Sequence, residues 1–208
     1  MYTIYNNEDG TIQEVEEPDP SLTYTYADYY SWNFMERLEL LRGKIFQLGA
    51  ANTKHQRTGG KLYVEFYNYL KGKTCQVFIA PYDVRLPVKN RKRDDQITTV
   101  VQPDICIFCD PAVIDERGAC GIPDLAVEIL SPSNPRHDLL EKYDVYQEVG
   151  VKEYWIIDPI KEMVMVSVLQ EQGNFAPTRV YTDNQVLEPR CVPGFSISTN
   201  QLFTSQPV

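Results

Sequence analysis

The sequence has few of the features that mark exported or membrane-spanning proteins. Its start, MYTIYNNEDG, contains neither a basic region nor an apolar stretch, so no secretory signal is visible. No apolar run approaches the roughly 20 residues that a membrane span needs. The five cysteines are odd in number and irregularly spaced, which does not indicate a disulfide framework. These absences predict a protein of the reducing cytoplasm that has no membrane partner.

Positive charge is also scarce. The chain has 20 Lys and Arg against 29 Asp and Glu, and its formal net charge is -9. This balance argues against broad, tight binding to phosphate backbones, although it leaves room for a local basic groove. The one dense basic cluster is KNRKRDD, with Lys89, Arg91, Lys92 and Arg93. It is either the solvated tip of a hairpin or a DNA-contacting loop.

The length suits a single domain with an appendage. Of the 208 residues, 43% are hydrophobic, so a sizeable core can form without covalent cross-links. Residues 1–21 are acidic and contain prolines (EVEEPDPS), which predicts an irregular N-terminal arm. The remaining residues, 22–208, are expected to fold as one domain.

The order of predicted elements indicates an α/β fold. Thr25 and Asp28 predict a helix N-cap, and the apolar spacing that follows predicts a helix to about Leu41. A second helix is predicted over about 52–70 and a third over about 136–149. Strand-like segments lie before, between and after these helices. This order predicts a mixed central β-sheet flanked by helices.

Two carboxylates stand out against their apolar surroundings. Glu128 lies within PDLAVEIL, and a carboxylate there is seldom buried unless it is paired or binds a metal. Alternatively, Glu128 ends its strand and accepts hydrogen bonds from the following loop. Asp104 follows Pro103, where a turn is the ordinary explanation. Carboxylates on two neighbouring strands could, however, jointly hold Mg²⁺, which prefers one or two carboxylates together with waters.

Lys142 is the third candidate. On the predicted helix it lies between the apolar face and Asp138, four residues earlier, so its side chain could reach a site at the edge of the sheet. The alternative is a surface pair between Asp138 and Lys142, which contributes only about 0.3–0.5 kcal/mol.

Longer segments of the sequence resemble a known family. VVQPDICIF and PDLAVEILSPSNPRHDLLEKYDVYQEVGVKEYWIIDP, in this order, resemble the Uma family of restriction-endonuclease-like proteins. That family belongs to the PD-(D/E)xK nuclease superfamily and is common in cyanobacteria. ERLELLRGKIFQLGAANTKHQ resembles its first helix, first strand and histidine-led second helix. The resemblance covers about Thr23 to Val168 and implies a restriction-endonuclease-like core with additional antiparallel strands.

The resemblance also implies a set of site residues. Asp104 and Glu128 take the positions of the motif carboxylates, and with the backbone carbonyl of Ile129 they would hold Mg²⁺ or Mn²⁺. The lysine that usually follows the motif glutamate is absent, because Leu130 stands there. Lys142 on the next helix takes its place as the catalytic lysine.

Three further residues are candidates for an accessory role. Glu39 matches an acidic position of the first helix and is either an outer metal contact or a helix-end carboxylate. His55 opens the second helix and serves either catalysis or a local hydrogen bond. Asp138 is included because it lies beside Lys142.

The implied function is metal-dependent hydrolysis of DNA, of a restriction, repair or transposon-associated kind, with a homodimer left open. The alternative is a non-catalytic binding or regulatory protein on the same scaffold, since a fold does not confer an activity. Zinc binding by Cys106-x-x-Cys109, with Cys120 and a histidine, is disfavoured. Residues three apart in a strand point to opposite faces and do not converge on one metal.

Overall fold

The computed structural model describes residues 2–5, 12–15, 18–32, 34–88, 92–131 and 136–204. Side chains are described in these ranges except over 2–5, 12–15 and 136–139. Of the candidate residues named above, Lys89 and Arg91 therefore lie outside the described residues, and so does the side chain of Asp138. Across the described ranges, no helix is both long and apolar enough to cross a membrane.

Three of the four α-helices separate runs of two to seven strands in the described chain, and the last helix follows the final strand. The helices are α1 (Tyr26–Ser31), α2 (Thr53–Leu70), α3 (Arg136–Val149) and α4 (Thr199–Phe203). The strands are β1 (Tyr2–Tyr5), β2 (Ile12–Val15), β3 (Leu38–Leu41), β4 (Lys44–Gln47), β5 (Gln76–Ile79), β6 (Val84–Arg85), β7 (Val100–Val101), β8 (Ile105–Phe108), β9 (Ile114–Asp115), β10 (Gly118–Cys120), β11 (Leu125–Ile129), β12 (Glu153–Asp158), β13 (Met163–Val168), β14 (Arg179–Tyr181), β15 (Val186–Leu187) and β16 (Ile197–Ser198).

The central sheet has the strand order β14-β13-β12-β11-β8-β5. Its β11 and β12 are parallel and joined by α3, as a parallel pair requires a crossover connection. The other neighbours in the sheet are antiparallel. A second sheet, in the order β4-β3-β7-β6-β10-β9, is likewise mixed. The predicted fold class, α/β with a mixed central sheet, flanking helices and additional antiparallel strands, is confirmed.

Alternation along β11 separates two hydrophobic cores. Leu125, Val127 and Ile129 pack in one core with Leu62, Phe66 and Leu70 of α2. Ala126 belongs to the other core, with Val145 and Tyr146 of α3 and with residues of the second sheet such as Leu41 and Val101. Since side chains alternate between faces, Glu128 projects to the side of α3 and the second sheet.

The first predicted helix is wrong over its second half. The capping box of Thr25 and Asp28 is present, but α1 ends at Ser31, and Leu38–Leu41 forms β3 instead. The turn from β3 to β4 explains the difference. Arg42 and Gly43 both have positive φ, of 53° and 80°, as in a two-residue hairpin turn. A Cβ on Gly43 would also lie 2.3 Å from the Thr23 methyl carbon.

The N-terminal arm also differs from the prediction of an irregular segment. Within residues 1–21, β1 and β2 pair in an antiparallel ladder, from Tyr2 opposite Val15 to Tyr5 opposite Ile12. Their alternation of apolar and polar residues is short, and the acidic, proline-bearing residues that follow obscure it.

The cysteines differ from the expectation of a chain without disulfides. Cys75 and Cys109 are joined by an S–S bond of 2.03 Å. They lie just beyond the pair Gln76 and Phe108, where β5 and β8 run antiparallel. Their sequence separation of 34 residues hides this opposition from inspection of the sequence. The bond also occupies the Cys109 sulfur, which a zinc site would need as a thiolate.

Alkylation tests this disulfide. We expect the unfolded, unreduced protein to take up three alkyl groups, at Cys106, Cys120 and Cys191, and the reduced protein to take up five. The double variant Cys75→Ser/Cys109→Ser should take up three in both states. Intact-mass spectrometry reads the count directly, and five alkyl groups on unreduced wild type would contradict the pairing.

Candidate active site

The strands that carry Asp104 and Glu128 are neighbours, as predicted. β8 runs antiparallel to β11 with Ile105 opposite Val127, so the register continued by one residue places Asp104 opposite Glu128. The Asp104 carboxylate also accepts a hydrogen bond from the backbone N–H of Ile129, with Oδ2 and N 2.7 Å apart. This bond fixes the aspartate at the end of β11, directly beside the glutamate.

The backbone carbonyl of Ile129 could bind a metal ion because of the proline at position 103. Leu130 donates its N–H to the Ile157 carbonyl of β12, so by strand alternation the backbone groups of Glu128 and Leu130 point toward that strand. The N–H and C=O of Ile129 therefore point toward β8. The continued register places Pro103 opposite Ile129. Since proline has no N–H, position 103 cannot donate a ladder hydrogen bond to the Ile129 carbonyl.

α2 brings His55 to the same point. The helix begins at the N-cap Asn52, whose side chain accepts from the His55 N–H. His55 is 8% exposed, and its Nε2 lies 3.1 Å from Asp104 Oδ2. Gly59, one turn later, allows this approach, since a Cβ there would lie 3.1 Å from the Ile129 Cδ1. Asp104 is thus held by two donors, one from α2 and one from β11.

Lys142 is an interior residue of the site. It is 3% exposed, and its Nζ lies 2.9 Å from Glu39 Oε2 and 3.1 Å from Glu128 Oε1. Tyr146, one helical turn after Lys142, donates its hydroxyl to Glu128 Oε1 over 2.9 Å. Between the two predictions for Lys142, the structure therefore supports the one in which its side chain reaches inward.

The prediction of a helix-end carboxylate for Glu39 is wrong, whereas its role as an outer metal contact stays a prediction. Glu39 is a fully buried residue of β3 and not a helix-end carboxylate. Its Oε1 accepts hydrogen bonds from Lys142 Nζ at 3.0 Å and from the backbone N–H of Gln102 at 2.5 Å. The helical interpretation of its segment hid this position, because a helix end would have left the carboxylate in solvent.

Carboxylates outnumber cations at this point of the molecule. Lys142 is the ammonium between Glu39 and Glu128, and Asp104 adds a third carboxylate beside Glu128. Burial raises the pKa of Glu128, and Lys142 opposes that rise, while Asp104 and Glu39 add to it by repulsion. Such a site favours any change that adds a positive charge to it, either a proton or a metal cation.

The described residues of the basic cluster, Lys92 and Arg93, lie elsewhere in the fold. The cluster belongs to the segment that connects β6 to β7, where Leu86 pairs with Thr99. This pair lies at one end of the two strands, and Gln102, which lines the pocket, follows the other end. Lys92 is exposed, and Arg93 is paired with Asp95. The structure therefore does not bring Lys92 and Arg93 together with the carboxylates, and DNA contact by this loop stays a prediction.

A pocket joins most of these residues. Its lining includes Asp104, Glu128, Lys142 and His55, and also Arg37, Gln56, Gly60 and Ser131. Two neighbouring strands of the central sheet and two helices thus bring Asp104, Glu128, His55 and Lys142 to one opening. The arrangement offers carboxylate and carbonyl oxygens for a hard cation next to an ammonium group.

The chain matches a family model over most of its length. The model, Uma2, carries the description "Putative restriction endonuclease" and matches residues 26–200. The chain belongs to the Uma2 family. The family resemblance expected from the sequence motifs is confirmed, and β3, α2, β8, β11 and α3 all lie inside the matched range.

Two individual proteins are also similar to the chain. An uncharacterized protein of Synechocystis, slr1290, is 27% identical over 121 residues, which are 57% of this chain and 60% of the relative. The chain thus matches about three fifths of that relative's length. A crystal structure described as a putative nuclease belonging to DUF820, from Anabaena variabilis, aligns with a TM-score of 0.69 and 21% identity. The alignment covers 86% of this chain and 97% of the Anabaena chain, and it shows the same fold.

Sequence reasoning missed three residues around the site. Tyr146 could have been found, since it lies four residues after Lys142 on the same face of α3. Pro103 was treated as a source of turn chemistry, although its missing N–H is what matters to Ile129. Nothing in the sequence identified Gln102 as a residue of the site, because polar residues are common at the ends of strands.

The raised pKa of Glu128 predicts how stability changes with pH. The folded state holds the Glu128 proton more tightly than the unfolded chain, whose carboxyl has the ordinary pKa of 4.5. The stability that this proton contributes is complete below that value and is lost as the pH rises through the folded pKa. Glu128→Gln keeps an acceptor for Lys142 and Tyr146 but cannot titrate. In metal-free buffer, its melting temperature relative to wild type should therefore increase from pH 5 to pH 9.

The control for net charge is Glu171→Gln, which removes one charge from an exposed side chain. Thermal unfolding of the three proteins across the pH series gives the comparison. A difference between Glu128→Gln and wild type that stays constant or falls with pH would contradict the raised pKa.

Proposed function

We propose that this protein is a metal-dependent endonuclease that hydrolyses phosphodiester bonds of DNA with Mg²⁺ or Mn²⁺. The observation that carries the proposal is the convergence of Asp104, Glu128 and Lys142 on one pocket. The three residues come from β8, β11 and α3, and Glu39 of β3 completes the group. Membership in the Uma2 family and the fold shared with an Anabaena protein described as a putative nuclease support the same conclusion.

The residues fit a hard divalent cation. The described residues include no group of three His, Cys, Asp or Glu arranged to hold a metal. Mg²⁺ does not require one, because it keeps several waters and binds through one or two carboxylates and the oxygens of a phosphate. Asp104, Glu128 and the Ile129 carbonyl would hold it. A bound Mg²⁺ supplies Lewis acidity, which polarises a phosphodiester and makes a water more acidic.

Each residue has a definite task in this proposal. The hydrogen bonds from Ile129 and His55 hold Asp104 in one orientation, so that it needs little reorganisation when a cation binds. Lys142 places its ammonium between Glu39 and Glu128, where it orients the attacking water and offsets negative charge that develops on the phosphate. Tyr146 keeps Glu128 aimed at the pocket. Glu39 holds Lys142 in place without entering the pocket lining.

The alternative is a binding or regulatory protein that has kept a nuclease scaffold. The acidic balance, a net charge of -9, favours it. The buried ion cluster of Glu39, Lys142 and Glu128 favours the enzyme. A non-catalytic protein on the same scaffold would not need a buried lysine between two carboxylates. A cytoplasmic location, transient binding of DNA and assembly as a homodimer belong to the same proposal.

Plasmid cleavage in Mg²⁺ and in Mn²⁺ is the test. Wild type should nick or linearise supercoiled DNA, and Asp104→Asn should not, since the amide cannot replace a metal-binding carboxylate. Lys142→Met should lower cleavage by about 10²-fold or more, as expected for loss of a positioned proton-transfer group. Methionine is used because it fills the buried space of the lysine stem. Circular dichroism confirms that each variant is folded.

A second lysine provides the matched control for Lys142. Leu130 lies two residues after Glu128, and strand alternation points it to the same side. Adding Leu130→Lys to Lys142→Met should restore part of the activity if the ammonium, and not the helix that carries it, matters. Cleavage by folded Lys142→Met at the wild-type rate would contradict the role of the lysine. Absence of cleavage by wild type in both metals would favour the binding protein.

A further inference from the structure

Arg37 stands at the opening of the pocket. It is exposed, precedes β3 by one residue, and lines the same pocket as Asp104, Glu128 and Lys142. Arg37 and Lys142 are the Lys and Arg side chains among the lining residues, and Lys142 is held between two carboxylates. The guanidinium of Arg37 is therefore the accessible positive charge at this opening.

Gln102 fixes the orientation of that guanidinium. Arg37 donates from Nε over 3.2 Å and from Nη2 over 2.9 Å to the Gln102 Oε1. Since arginine has only donors, the amide oxygen must face it. The amide nitrogen then faces Asp83 Oδ1, at 2.9 Å, and the Tyr29 hydroxyl, at 3.3 Å. Both polar atoms of the Gln102 side chain form hydrogen bonds, which fix the orientation of the amide. The amide oxygen in turn fixes the position of the Arg37 guanidinium.

The partner of Arg37 is a neutral amide. Within the described part of the chain, Arg37 forms no ion pair, whereas four other arginines pair with carboxylates: Arg42 with Glu148, Arg85 with Asp115, Arg93 with Asp95 and Arg117 with Asp94. Asp83 is bound by the opposite end of the Gln102 amide and attracts Arg37 across it without direct contact. The guanidinium of Arg37 is thus in contact with no carboxylate of the described residues, and its remaining N–H groups can reach a ligand.

We propose that Arg37 binds a backbone phosphate of the nucleic acid beside the one that is cut, and that Gln102 is the residue that positions it. The inference rests on the proposed nuclease function and adds the contact that holds the substrate. Apart from Arg37, the pocket and the buried cluster behind it hold three carboxylates, Asp104, Glu128 and Glu39, against the one ammonium of Lys142. They repel a polyanion, and an exposed guanidinium lowers that repulsion where a phosphate must enter. A guanidinium edge also matches two phosphate oxygens at once.

Fluorescence anisotropy with a labelled 20-base-pair duplex, in EDTA so that no cleavage occurs, tests the contact. Arg37→Ala should weaken binding about tenfold or more, as for a charged hydrogen bond, and lower the slope of log affinity against log salt by about one. Arg37→Lys should lie between Arg37→Ala and wild type, because it keeps the charge and loses the planar fork. Arg37 is exposed, so both variants should remain folded.

Arg179→Ala is the matched control for charge. Arg179 is exposed on β14, at the far side of the central sheet from β8 and β11, and should bind within about twofold of wild type. Gln102→Met tests the positioning role, with a lower affinity expected at an unchanged salt slope, since Arg37 can still reach the phosphate. Wild-type affinity in Gln102→Met would remove the positioning role of Gln102.

The outcomes separate this inference from the function it rests on. Equal affinities of Arg37→Ala and Arg179→Ala would overturn the phosphate contact, and so would a wild type that does not bind the duplex. Cleavage by wild type together with unaffected binding by Arg37→Ala would reject the contact alone. Binding that depends on Arg37, without cleavage in Mg²⁺ or Mn²⁺, would support the contact and reject the nuclease.

Discussion

The ion cluster of Glu39, Lys142 and Glu128 is the interaction on which the site depends. It joins β3 of the second sheet, α3 and β11 of the central sheet through charges that are almost fully buried. Burying a charge costs several kcal/mol unless it is paired, and breaking a buried pair typically costs about 3–5 kcal/mol. Well-packed apolar residues could stabilise this junction equally well. The cluster is therefore better explained by a role in the proposed reaction than by a contribution to the stability of the fold.

Around this cluster, some elements supply the candidate metal ligands and others hold those ligands in place. The strand β11 supplies Glu128 and the backbone of Ile129, and Asp104 directly precedes β8, opposite Glu128 in the continued register. α2 approaches closely through Gly59 and restrains Asp104 through His55. Each carboxylate is thus held by a neighbour on a different element, which limits its motion before any ligand binds. This preorganisation suits the binding of a cation next to a phosphate.

The sequence predicted the parts of the site that depend on strand pattern and helix spacing. A carboxylate inside an apolar strand identified Glu128, and the position of Lys142 beside the apolar face of α3 allowed for an inward side chain. Glu39 was misplaced, because the apolar residues around it fit a helix as well as a strand, and only the left-handed turn at Gly43 decides between them. The link between Cys75 and Cys109 depends on strand pairing across 34 residues, which local spacing does not encode.

Anomalous diffraction from a crystal soaked in Mn²⁺ would locate a cation bound at this site. We expect one strong peak about 2.2 Å from oxygens of Asp104, Glu128 and the Ile129 backbone, with the remaining positions filled by water. The ammonium of Lys142 should stay beside Glu128 and outside the ligand shell. A fully soaked crystal with no peak between Asp104 and Glu128, or with manganese bound only at surface carboxylates, would contradict this expectation.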